Sequence, residues 1–292
     1  MHELDSLVAA DAVRLLSEAT GGQYRLVGRL AGGETGAHEV IDARGSRRVL
    51  KWDVEPLSIA ARLTAVVLTE TLRSAAGWPV PAQECFEQDG CLLVTQELLL
   101  GDPVRRLTHA VVDRMLELHT ARLGLAPAEH QRTWPLELLT TLRTGGAGYC
   151  LHEPLRDFDQ RTRRVIERIE ELGNDVSSGT FAGCDIVHWD LHPGNLLALD
   201  GAVTAVIDND FVMVGDAAFD LVTLALTSLD TESEPGVRER LAAEAFDGLD
   251  DDRRLAYTAH LVLRFLDWPI RRGRRDEIEF WTHQAERLLT LG

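Results

Sequence analysis

Lysine is almost missing from this sequence. Its 292 residues carry 30 basic side chains against 47 acidic ones, a net charge of −17, and Lys51 is the one lysine among 29 arginines. A compact ammonium and a planar guanidinium are not interchangeable, so the single lysine is a candidate for a task that needs a point charge. Cysteine is scarce as well. Cys85, Cys91, Cys150 and Cys184 form no C-x-x-C pair and have no metal-ligand spacing, which excludes a disulfide scaffold and a zinc module. Cys85 and Cys91 can be drawn facing each other across a hairpin turned at Asp89-Gly90, but the compartment argues against a disulfide there. No run approaches 18 uncharged apolar residues, and Met1-His2-Glu3-Leu4-Asp5 has neither a basic nor an apolar leader region, so a cytoplasmic protein is expected. Repeats and low-complexity tracts are missing too. What remains is ordinary for a globular chain, 45% hydrophobic and 26% charged, and long enough for one large core or two modest ones. An acidic excess repels nucleic acid and anionic membrane surfaces and attracts small cations.

The hydrophobic period changes along the chain. Residues 5–20 read as an amphipathic helix ended by Gly21-Gly22, followed by strand-like runs over 24–30, 38–42 and 47–52 with glycine-bearing turns between them. A helical pattern over 57–76 precedes two more strands, 83–88 and 91–97. Beyond Gly101 helices are expected over 108–123, 135–143, 157–173, 216–229, 237–247, 251–267 and 276–290. One strand-rich island, Ile186 to Ile207, interrupts them. The predicted organisation is an N-terminal sheet-rich lobe, residues 1–97, and a larger helical lobe, residues 98–292.

The island carries the chemistry. It reads Ile186-Val187-His188-Trp189-Asp190-Leu191-His192-Pro193-Gly194-Asn195-Leu196-Leu197, then Ala205-Val206-Ile207-Asp208-Asn209-Asp210. H-x-D-L-x-x-x-N followed by an Asp closing an apolar strand is the catalytic-loop and metal-Asp pattern of kinases. Asp190 is the candidate base for an attacking hydroxyl, Asn195 offers an uncharged amide oxygen to Mg²⁺, and Asp208 supplies a charged metal ligand. His188 is expected to brace the backbone. Asp210 is either an outer partner of the metal or a turn carboxylate. Asp216 and Asp220 are expected to secure the loop and the following helix.

Residues 187–221 resemble the aminoglycoside phosphotransferase and choline kinase group of small-molecule kinases, whose loop reads V-H-G-D-L-H-P-G-N-L-L and continues with I-D-x-[DE] and G-D-x-x-x-D-L. Trp189 stands where that group usually has Gly, although some streptomycin-type kinases also read H-W-D-L-H. The resemblance implies an α+β, bilobal protein-kinase-like fold with a β-rich N-lobe and a helical C-lobe, and ATP (or GTP) with Mg²⁺ as cofactors. Lys51, in Val49-Leu50-Lys51-Trp52, then fits the strand lysine that holds the α- and β-phosphates. Gly32, Gly33, Thr35 and Gly36 form a glycine-rich connection whose backbone N–H groups suit phosphate oxygens. Glu70, with Glu55 as the fallback, is the expected carboxylate partner of Lys51. The stretch around Glu97 and Leu98 resembles the adenine-binding hinge, and the segment ending at His119 resembles the family's L-x-x-L-H helix.

Only seven residues separate Asp208 from Asp216 and no A-P-E follows, so there is no activation segment to dock a protein substrate. Residues 230–252 hold nine acidic groups against Arg238 and Arg240, either a solvated face or a surface for a polycation. The expected activity is antibiotic O-phosphorylation of an aminoglycoside or a tuberactinomycin such as capreomycin or viomycin. The alternatives are a metabolic kinase for choline, a fructosamine or homoserine, and a nucleotide-binding pseudokinase.

Overall fold

The computed structural model describes residues 8–30, 36–127, 133–181 and 183–290. In chain order its elements are α1 (Ala9–Thr20), β1 (Tyr24–Arg29), β2 (His38–Asp42), β3 (Arg47–Asp53), α2 (Pro56–Ala75), β4 (Gln83–Gln88), β5 (Cys91–Glu97), β6 (Asp102–Pro103) and β7 (Arg106–Leu107). There follow α3 (His109–Ala121), α4 (Trp134–Thr144), α5 (His152–Phe158), α6 (Gln160–Asp175), β8 (Asp185–Val187), β9 (Leu196–Leu199), β10 (Ala202–Val206) and β11 (Met213–Gly215). The chain closes with α7 (Ala218–Thr227), β12 (Glu232–Ser233), α8 (Val237–Phe246), α9 (Asp251–Arg272) and α10 (Arg275–Leu288). Two compact units emerge: residues 1–104, 113–125 and 194–213 form one, and residues 105–112, 126–193 and 214–292 form the other.

The first unit is built on a five-stranded antiparallel sheet in the order β1-β2-β3-β5-β4. β5, second from one edge and buried through all but its last residue, is an apolar run of the kind a central strand needs. The β4–β5 hairpin turns at Asp89 and Gly90, both with positive φ (50° and 76°), the geometry that matches the twist of paired strands. Its register sets Cys91 opposite Gln88 and Cys85 opposite Val94, so the two thiols do not face each other and all four cysteines are free. α1 lays Ala12, Val13, Leu15 and Leu16 on a cluster with Val40, Leu50 and Leu93. α2 buries Ala65, Leu68, Thr69 and Leu72, side chains three to four apart on one face. A smaller sheet, β10-β9-β6, completes the unit.

The second unit is helical around an aromatic core. Trp134 at the start of α4 meets Tyr257, Phe219, Phe181 and Trp189 edge-on, with ring centroids 5.6, 5.8, 6.3 and 6.4 Å away, the arrangement favoured by ring quadrupoles. The pattern expected as one helix over 157–173 starts instead at Asp159, whose carboxylate accepts from the Thr162 N–H while the Thr162 hydroxyl accepts from the Asp159 N–H. A separate helix, α5, precedes it. α9 runs through Pro269 to Arg272 and ends at Gly273 (φ 67°), past the expected end at 267. Among the described residues no helix is long and apolar enough to cross a membrane.

Candidate active site

In the first unit, β9 and β10 pair as a hairpin, Leu196 opposite Val206, and the Ile207 N–H donates to the Asn195 carbonyl at 2.9 Å. That pairing explains the spacing of the motif: Asn195 and Asp208 leave the same open end of one hairpin. Asp208 sits at φ 62°, a left-handed conformation that Asp tolerates because its short side chain can bond locally. Lys51, on β3 and 8% exposed, donates to Asp208 Oδ1 at 2.8 Å and to Asp210 Oδ2 at 2.7 Å. Burial alone would push the ammonium down; the two carboxylates outweigh it, and the pKa of Lys51 is raised.

Glu70 does not take part. It faces solvent on α2, one position beyond the buried Thr69, and both its oxygens accept from Arg73 at 2.7 and 2.8 Å. α2 contributes a cation instead. Arg62 pairs with Asp53 at 2.8 Å and with Asp210, so the two cations, Lys51 and Arg62, are set among three carboxylates of which Asp210 is common to both. Asp210 thereby bridges both cations, a role that neither sequence reading of it included. Glu55 precedes α2 as its N-cap residue and makes no side-chain cap bond. Gly32, Gly33 and Thr35 lie outside the described residues; Gly36 has φ 82°. In the stretch expected to be the hinge, the Glu97 N–H donates to the Ala82 carbonyl at 3.1 Å, so that donor is already used, and Leu98 is the first residue past β5. His119 lies 3.3 Å from Arg122, whose guanidinium carbon stands 4.8 Å from the Trp78 ring centroid, a packing role.

In the second unit, the loop that carries Asp190 is held through its backbone. Asp220, fully buried on α7, accepts from the N–H groups of His188 and Trp189 at 2.7 and 2.9 Å. Trp189 adopts φ 75°, where the family's usual Gly has no steric penalty. Its ring stacks on Phe219 with centroids 4.9 Å apart and planes at 20°, and is 3% exposed. Asp190 Oδ1 accepts from Arg264 Nη1 at 2.9 Å, and Oδ2 lies 3.7 Å from His192 Nε2. Asp216 accepts from Ala218 N–H at 2.9 Å, from the Tyr257 hydroxyl at 2.7 Å and from Arg253 at 3.2 Å, tying the start of α7 to α9. Burial, and then the Asp216 carboxylate, push the Tyr257 phenol far up, so it stays a donor. Arg264, 74 residues from Asp190, carries no motif signal.

Asn195 and Asp208 offer an amide and a carboxylate oxygen, a hard donor set that fits Mg²⁺, which binds few protein ligands and takes the rest from phosphate and water. Among the described residues no cluster of three His, Cys, Asp or Glu side chains forms a metal cage.

The first unit thus gathers a buried lysine and a carboxylate-amide pair, and the second a braced loop carrying Asp190. A family model described as "Phosphotransferase enzyme family" matches residues 8–257. No curated protein sequence matches the chain. Among solved structures, a thermostable variant of aminoglycoside phosphotransferase APH(4)-Ia with ADP and hygromycin B is 17% identical, TM-score 0.65, covering 96% of this chain and 98% of that one. The aminoglycoside phosphotransferase APH(2")-IIIa with GDP and kanamycin is 14% identical, TM-score 0.60, covering 96% and 98%. An amicoumacin kinase with AMP-PNP and Ca²⁺ is 18% identical, TM-score 0.56, covering 91% and 88%. The fold is therefore that of the kinase-like small-molecule phosphotransferases, and the chain belongs to the phosphotransferase enzyme family.

Proposed function

We propose that this phosphotransferase is an ATP- and Mg²⁺-dependent O-kinase for a small, hydroxylated, cationic antibiotic, an aminoglycoside or a tuberactinomycin, acting in the cytoplasm. The observation that carries this reading is the braced loop: Asp220 accepts from the peptide N–H groups on either side of His188, and Asp190 follows with its carboxylate oriented by an ion pair. In this reading Asp190 accepts the proton of the acceptor hydroxyl as its oxygen bonds to the γ-phosphorus. The bond from that phosphorus to the β–γ bridging oxygen breaks, and ADP leaves. Lys51 and the 32–36 loop hold the triphosphate, Leu98 contributes backbone to the adenine, and Asn195 with Asp208 would hold the metal. Bound there, Mg²⁺ supplies neutralisation of phosphate charge. Lys51 pairs with Asp208, so the ammonium for phosphate and the carboxylate for the metal stand side by side.

The acceptor class rests on the acidic balance and on the hygromycin B and kanamycin complexes of the similar structures. Part of the 230–252 surplus has structural work: Asp250 caps α9 through the Arg253 N–H at 2.8 Å, Glu234 accepts from the His109 N–H at 3.0 Å, and Glu232 pairs with Arg106 at 3.5 Å. The acceptor surface therefore draws on fewer of those carboxylates than the bare sequence offers.

The test is ADP release across a panel of aminoglycosides, tuberactinomycins, macrolides and simple amino alcohols. Stimulation by one of the first two classes supports the reading. Stimulation by amino alcohols alone replaces it with a metabolic kinase, and none by any acceptor replaces it with a nucleotide-binding pseudokinase.

A further inference from the structure

We infer that Arg264, on α9, is a positioning residue for Asp190, setting the rotamer and the charged state of the base; the inference rests on the proposed role of Asp190. Nη1 of Arg264 donates to Asp190 Oδ1 at 2.9 Å and to the Trp189 carbonyl at 3.0 Å. The guanidinium carbon also lies 5.4 Å from the Trp189 ring centroid. One side chain, 15% exposed, therefore fixes the carboxylate, the peptide preceding it and the neighbouring ring. A planar guanidinium can make both bonds from one nitrogen while its face lies toward the Trp189 ring, a combination that a compact ammonium does not reproduce.

The need for such a clamp follows from Trp189. A large residue at φ 75° is strained, and such strain persists only where the surroundings over-determine it. Asp220 holds the N–H on one side of Trp189, Phe219 holds its ring, and Arg264 holds its carbonyl on the other side. His192 stands 3.7 Å from the second oxygen of Asp190, beyond hydrogen-bond range. Arg264 faces Tyr149 and Cys150 from the segment before α5 and His260 one turn back on its own helix; of the acidic groups beside those side chains, Asp267 is engaged by Arg271 at 2.8 Å and Glu137 accepts from the Tyr149 hydroxyl at 3.4 Å. Arg264 is thus directed to Asp190 as its carboxylate partner.

The test compares full-length wild type, Arg264→Gln and Arg264→Lys by ¹³C-carboxyl NMR titration, with Asp190 assigned through Asp190→Asn, and by kcat and KM with the best acceptor of the panel. In Arg264→Gln the Asp190 midpoint is expected to rise by about one pH unit or more, since it loses an adjacent cation. Its kcat is expected to fall by about 10- to 100-fold with nucleotide KM within about two-fold, the pattern of a misplaced base and not of a lost binding contact. Arg264→Lys is expected to restore the midpoint but not kcat. A folded Arg264→Gln protein with the wild-type midpoint and kcat overturns the inference. Should that variant not fold, Arg264→Lys decides alone, and an unchanged kcat in it overturns the inference. The titration needs no acceptor: a wild type with no turnover defeats the proposed function while leaving the Arg264–Asp190 pairing tested, and normal turnover in both variants defeats the pairing alone.

Discussion

The ammonium of Lys51 lies 2.8 Å from Asp208 although 157 residues separate them in the chain. Removing that buried cation takes from Asp208 its lysine partner and leaves Asp210 to Arg62, and an arginine cannot take its place without moving its neighbours. Lys51→Met and Lys51→Arg are both expected to raise the nucleotide Kd by about 30- to 5000-fold, since truncating one partner of a buried charge pair costs about 2–5 kcal/mol. Isothermal titration with ATP and Mg²⁺ checks it; a near-native Kd in Lys51→Arg would show that the site does not require a compact charge.

Asp190→Asn keeps the shape of the side chain and removes its basicity. Turnover is expected to drop by about 10² to 10⁴ while nucleotide affinity stays within a few-fold, because general base catalysis contributes on that scale. Single-turnover kinetics with radiolabelled ATP measure it, and unchanged turnover would take Asp190 out of the reaction.

Asp220→Ala strips the buried N–H groups of His188 and Trp189 of their acceptor. Each orphaned donor costs about 1–3 kcal/mol, so the variant should lose at least about 2 kcal/mol of stability together with most of its turnover. Denaturant unfolding decides: a variant as stable as wild type would mean that the loop finds other acceptors.

His260 is fully buried on α9 against Trp189 and Phe219, and neither ring nitrogen has a hydrogen-bond partner among the described residues. Burial first, and the Arg264 charge second, hold its pKa well below the ordinary imidazole range. The unfolded chain then binds a proton that the folded chain refuses, so stability is lost as pH falls below about 6.5, by up to about 1.4 kcal/mol per pH unit from this group. His260→Leu should flatten that part of the stability profile between pH 6.5 and 5. A slope identical to wild type would assign the acid sensitivity to other groups.

Much of the site was legible because its signals are local. The Asp89-Gly90 turn, the helix stop at Gly21 and the H-x-D-L-x-x-x-N loop each depend on residues a few positions apart. Glu70 misled because a helical pattern of carboxylates and apolar residues does not say which carboxylate faces the sheet; a one-position offset from Thr69 turns Glu70 to solvent. α9 also runs past its expected end at 267, since a proline in the last turn removes only one helical bond and the helix absorbs it. Trp189 reads in sequence as a departure from the usual Gly, and its ring belongs to the core of its unit.

The sequence by itself determined the chemistry on offer: one lysine on a strand, an Asp and an Asn five residues apart in one loop, and an Asp after the next strand, because residue type and short-range spacing are properties of the chain alone. Only the tertiary structure decided the partners. It gave Lys51 to Asp208 and Asp210, put Arg62 where a glutamate was expected, and brought Arg264 to Asp190. Those choices depend on which helix face meets which loop across tens of residues, and charge complementarity in a buried setting selects among candidates that the sequence leaves equal.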